Sequence, residues 1–80
     1  MILKELDTVV LTEDLPEHGL KAGDLGAVVF ASPDALEVEF VRASGRTQAV
    51  VTLSPAQVRL AGDEDLISVR RAEPPDRGSG

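Results

Sequence analysis

Apolar, β-branched residues in this chain come in short runs, each closed by turn-forming residues, and this pattern constrains the fold most. Runs rich in valine and threonine suit a pleated, half-buried strand. "DTVVLT" (7–12) and "GAVVFA" (26–31) are two such runs. "ALEVEFV" (35–41) alternates, with Leu36, Val38 and Phe40 on one side and Glu37 and Glu39 on the other. That reads as a strand with one wet face. "SPD" (32–34) separates the second and third runs. Its Pro33 presets φ for a turn, and Asp34 can bond the backbone that follows. "RASGR" (42–46), with Gly45, joins the third run to "TQAVVTL" (47–53), so 35–53 is a predicted β-hairpin. "SPAQ" (54–57) fits one helical or 3₁₀ turn, with Ser54 as N-cap and Pro55 as first helical residue. "VRL" (58–60) is a final short strand, with Val58 and Leu60 inward and Arg59 outward.

The expected architecture is all-β: a small five-stranded SH3-like barrel over residues 1–60, with one short helical turn before the last strand and a C-terminal extension. A barrel answers the problem of exposed strand edges by closing on itself. An oligonucleotide-binding type of barrel competes, but it needs longer strands and more residues. Phe30 and Phe40 both fall on strand positions that point to the core. Beyond Leu60, "AGDED" (61–65) is an acidic linker, and "LISVRR" (66–71) is a candidate extra strand that could add to a sheet edge in a neighbouring molecule. A homodimer is therefore an open alternative. "AEPPDRGSG" (72–80) is rich in proline, glycine and charge and is predicted to be a disordered tail.

The stretch "LPEHGLKAGDLGAVV" (15–29) concentrates backbone specialists. Pro16 stiffens it and Gly19 lets it reverse. Gly23-Asp24 is turn chemistry, since glycine takes positive φ freely and aspartate caps the turn. Gly26, at the head of a strand, marks a bulge or a close approach. Leu15 and Leu20 bracket the loop and are expected to tuck it onto the barrel mouth.

Composition narrows the function. Eighty residues make one small domain, which buries only about 60–65% of its unfolded surface. The chain has no cysteine and one histidine, so disulfides, thiolate sites and His-rich zinc sites are not expected. No metal or other cofactor is expected. The formal charge of −6 disfavours long nucleic acids and anionic membranes, and suits a basic protein partner. No apolar run approaches membrane-spanning length, and the N-terminus lacks a signal pattern, so the expected location is cytoplasmic. No motif for nucleophilic, phosphate-binding or dinucleotide chemistry is present, and the chain is read as non-enzymatic.

Charge is unevenly placed. Residues 1–39 hold nine acids against Lys4 and Lys21, whereas residues 40–60 hold Arg42, Arg46 and Arg59 and no acid. Candidate partner-binding residues are Glu13, Asp14, Glu17 and His18 on the loop, with Glu37 and Glu39 on the wet strand. The alternative is a nucleic-acid-associated barrel using Arg42, Arg46 and Arg59, although no stacking aromatic accompanies them.

Several motifs carry a resemblance. The Leu-Asp-x-Val start at Leu6, the run Leu-Pro-Glu-x-Gly-Leu-x-x-Gly-Asp-x-Gly-x-Val from Leu15 to Val28, the Glu-Val-Glu-Phe strand and the leucine-flanked segment Leu53 to Leu60 occur together. In this combination the chain, over roughly residues 3–60, resembles a widespread bacterial family of small domains of unknown function. The resemblance implies an SH3-like barrel and brings no catalytic residues. It implies a role like that of antitoxin or immunity partners encoded beside toxins. Members often carry an aromatic just before Glu-Val-Glu-Phe. Leu36 stands there in this chain, which removes that aromatic contact.

Overall fold

The computed structural model describes residues 3–74. Five antiparallel strands form one sheet: β1 (Thr8–Leu11), β2 (Leu25–Ala31), β3 (Leu36–Val41), β4 (Thr47–Leu53) and β5 (Val58–Leu60), in the order β4-β3-β2-β1-β5. Four strands run as a meander and the fifth returns to pair with the first, as the SH3-like reading requires. Two 3₁₀ turns, Pro16–His18 and Pro55–Gln57, are the helical elements among the described residues. The second stands where "SPAQ" placed it, and Gln57 Oε1 accepts from the Ser54 N–H at 2.8 Å. The sheet is open, with β4 and β5 as its edges. The core is thus enclosed by side chains rather than by a closing ladder.

Every strand feeds that core. Val9 and Leu11 come from β1, Val28 from β2, Leu36, Val38 and Phe40 from β3, Val51 and Leu53 from β4, and Val58 from β5. Leu15 and Leu20, from the β1–β2 loop, belong to the same cluster. No polar or charged side chain is buried among the described residues. Such a core rests on apolar burial alone, at about 1.5–3 kcal/mol per large side chain.

Backbone detail agrees with the turn chemistry. Gly19, Gly23 and Gly45 take φ of 69°, 96° and 92°. Gly26 proves to be a close approach and not a bulge. A Cβ there would lie 2.5 Å from Val38 Cγ1 and 2.9 Å from Phe40 Cε2.

The bulge falls three residues later and overturns one assignment. Val28 pairs with Val38, but Phe30 pairs with Glu37, leaving Val29 as the extra residue. An inserted residue shifts the two-residue side-chain period by one. Phe30, expected in the core, therefore stands on the outer face of the sheet, 53% exposed. Phe40 is buried as expected. Leu60 also departs from its expected inward position. It sits at the end of edge strand β5, paired only with Val9, and is 39% exposed.

The linker 61–65 forms a turn. Arg59 Nη1 and Nη2 donate to the two Asp65 carboxylate oxygens at 2.9 and 2.6 Å, and the Gly62 N–H donates to Oδ2 at 2.6 Å. Residues 66–71 form no strand and pair with no edge. They run irregularly back over the domain, where Arg70 and Glu73 reach the β1–β2 loop. Of the predicted tail, 72–74 continue this path and 75–80 lie outside the described residues.

Two measurements test this packing. Gly26→Ala overpacks Val38 and Phe40 and should cost about 1–3 kcal/mol, read as a lower urea midpoint at unchanged slope. In the Gly26→Ala/Val38→Ala double variant the loss should fall short of the sum of the single losses, because the second change removes the colliding methyl. Additive losses would contradict the close approach.

The second concerns pH. The Arg59 guanidinium, and then the Gly62 N–H, hold the Asp65 carboxyl well below the usual carboxylate range. A depressed folded-state pKa gives stability that is present above the unfolded value of about 3.9 and is lost as pH falls below it. The difference in urea midpoint between the unaltered chain and Asp65→Asn should hold steady from pH 7 to 5 and shrink from about pH 4 downward. A gap unchanged at pH 2 would rule the clasp out.

Candidate functional site

The β1–β2 loop is built as a lid. Leu15 and Leu20 exchange backbone hydrogen bonds at 2.9 and 3.1 Å and bury their side chains in the core. Between them the 3₁₀ turn Pro16–His18 ends at Gly19 in the left-handed conformation. Asp14 Oδ1 accepts from the Ala22 N–H at 2.9 Å and ties the two arms of the loop. Glu13 Oε2 accepts from Gln57 Nε2 at 3.0 Å, joining the loop to the second 3₁₀ turn. Two of the predicted contact residues, Glu13 and Asp14, thus also hold the loop's shape. Glu17 is exposed in the first turn of the short helix, and His18 is half-buried beside it. The His18 backbone carbonyl accepts from Gln48 Nε2 at 3.2 Å.

Glu37 and Glu39 lie elsewhere. They alternate with Leu36, Val38 and Phe40, which face the core, and so project from the opposite, outer side of β3. The loop is anchored on the core side by Leu15 and Leu20. The six predicted residues therefore divide into two sets on different sides of the sheet.

The outer face contains what sequence reasoning missed. Across the ladders, Phe30 pairs with Glu37, and Glu39 pairs with Ala27 on one flank and Val50 on the other. Phe30 and Val50 are both exposed, and so is the bulged Val29. Thr47 Oγ1 donates to Glu39 Oε2 at 2.6 Å and fixes that carboxylate among them. The result is a patch of exposed apolar side chains interleaved with two carboxylates. Leu36, just before Glu-Val-Glu-Phe, is fully buried. Phe30 supplies the exposed ring on this face, and only the bulge puts it there.

The three arginines do not form one basic surface. Arg59 is on edge strand β5 and is held by Asp65. Arg42 and Arg46 close the β3–β4 turn near the other edge, and Arg42 Nε donates to Gln48 Oε1 at 2.7 Å.

Gln48 was not singled out by sequence, and Asp24 only as a turn residue, yet both are positioned with care. The β3–β4 register shifts between Phe40, paired with Ala49, and Val41, paired with Thr47, so Gln48 is a bulged residue. Its side chain reaches the loop instead of continuing the ladder. Asp24 Oδ2 accepts from the Lys21 N–H at 2.8 Å, the turn role that Gly23-Asp24 implied. Its carboxylate also receives Arg70 from the C-terminal segment.

Among the described residues no group of three or more His, Cys, Asp or Glu is placed to hold a metal ion, and no helix is long and apolar enough to cross a membrane. No curated protein and no solved structure matches the chain. Residues 5–60, from the Asp7 turn to the end of β5, match the family described as Domain of unknown function (DUF4926), and the chain belongs to that family.

Proposed function

We propose that this domain is a non-enzymatic protein-binding module that docks onto a more basic protein through the outer face of β2, β3 and β4. The observation that carries the reading is Phe30, half-exposed directly across from Glu37, with Val50 across from Glu39. Aromatic side chains are enriched at interface cores, where a ring filling a partner's pocket can dominate affinity. Carboxylates beside it select a cationic partner and penalise an acidic one. The net charge of −6 extends that preference over the whole surface.

The exposed loop acids Glu13, Asp14 and Glu17 act at longer range. They steer a basic partner toward the domain without forming the contact themselves. Within this reading the role is that of an antitoxin or immunity-type partner, working in the cytoplasm of a bacterium against a basic protein encoded nearby.

Co-expression with the products of adjacent genes, followed by calorimetry on any complex, tests the proposal. Phe30→Ser should weaken binding about 100-fold, equivalent to about 2.7 kcal/mol. Glu37→Lys with Glu39→Lys should do at least as much. Glu13→Lys with Glu17→Lys should slow association at low salt and leave dissociation nearly unchanged. Unchanged affinity in Phe30→Ser would discard the outer face. Failure of every adjacent product to bind would discard the antitoxin or immunity role.

A further inference from the structure

A set of polar contacts holds the C-terminal segment over the domain. Arg70 Nε donates to Asp24 Oδ1 at 3.0 Å, and Nη2 pairs with Asp24 Oδ2 and donates to the Gly19 carbonyl at 3.3 Å. The Lys21 N–H fixes the receiving carboxylate in advance. Three residues on, the Glu73 carbonyl accepts from Gln48 Nε2 at 3.4 Å, and the Glu73 carboxylate pairs with Lys21 Nζ at 2.7 Å. The backbone passes so close to Gly19 that a Cβ there would collide with the Glu73 carbonyl oxygen.

These groups form a seat for a guanidinium and for the peptide backbone that follows it. A carboxylate and a carbonyl converge on the charge, and planar guanidinium groups favour such two-point recognition. Beside the seat lies a cleft of about 390 Å³, lined on the domain side by Leu20, Leu25, Phe40 and Val41 and on the other by the segment's own Ile67 and Val69. The segment's own apolar side chains gain little from it: Leu66, Ile67 and Val69 are 84–90% exposed. The segment therefore holds on through ion pairs that are partly or largely exposed, and such pairs contribute little.

We propose that this cleft, between the β1–β2 loop and the β3–β4 turn, binds an extended, arginine-bearing segment of a partner protein, and that the chain's own Arg70 occupies the arginine seat until that segment displaces it. The occupant follows from charge complementarity, because the seat already shows how it takes arginine. A competitor that also turns an apolar side chain into the cleft gains burial that residues 66–69 forgo. The site shares no residue with the outer face proposed above, so either can fail without the other.

The test uses the full chain and a fluorescent peptide copying residues 66–73. Arg70→Ala, which vacates the seat, should bind the peptide at least tenfold more tightly than the unaltered chain. Adding Asp24→Asn should reverse that gain. A peptide with citrulline in place of the arginine matching Arg70 should bind Arg70→Ala at least tenfold more weakly, with no change to the protein. Equal binding of the arginine and citrulline peptides, or binding of neither, would overturn the proposal. Concentration-dependent dimerisation of the unaltered chain, abolished by Arg70→Ala in sedimentation, would assign the seat to a second copy and also overturn it.

Discussion

The burial of Leu15 and Leu20 beneath the β1–β2 loop is the contact on which the rest of this domain depends. Five short strands in an open sheet do not enclose a core unaided. The two leucines cover it, and to do so the loop must leave β1, turn at Pro16–His18, reverse at Gly19 and return through Gly23 into β2. Each later feature inherits that path. Asp24 is presented because the turn ends there, and the Gly19 carbonyl is available because the short helix stops there. With no buried polar group elsewhere among the described residues, apolar closure is the main source of stability and also sets the geometry of the polar surface.

The charges divide by what they do for the chain itself. Asp7, Asp14, Asp24 and Asp65 each accept a backbone N–H, and so define turns. Asp24 and Asp65 also hold an arginine. Glu17 and Glu37 are exposed on the loop and the outer strand face respectively. The short aspartate carboxylates thus bind the backbone of their own turns, whereas the glutamates Glu13, Glu39 and Glu73 meet side chains distant in sequence. Aspartate's short stem reaches its own local backbone easily, whereas glutamate's longer stem reaches outward.

Much of the fold was legible in the sequence because the signals were local. Alternation in 35–41, turn chemistry at 32–34 and 42–46, and the Ser54-Pro55 helix start each act within a few residues, and each element stands where its signal lies. The brackets Leu15 and Leu20 were legible for the same reason. Phe30 was misplaced because strict alternation assumes no inserted residue, and nothing in "GAVVFA" marks Val29 as one. Leu60 was misplaced because alternation shows a face but does not show that the strand is an edge. The segment 66–71 has strand-like composition, but Arg70 and Glu73 tie it to the loop instead of a sheet edge. The contacts of Arg70 span 46 and 51 residues of chain, beyond the reach of local pattern. Gln48 became visible only with the β3–β4 bulge.

The bulge at Val29 also separates two kinds of change in this chain. Across it the alternation of β2 changes phase: Val28 faces the core, Phe30 the outer side, and Ala31 packs against the core again. Which residues the domain displays is then set by ladder register as much as by residue identity. Deleting Val29 would leave Phe30 opposite Glu37 and only make the ladder regular, whereas closing the bulge with every residue kept would set Val29 opposite Glu37 and turn Phe30 inward. In a family built on so small a core, making or closing a bulge offers a way to display or withdraw an aromatic ring while the hydrophobic positions of β1 and β3 stay as they are.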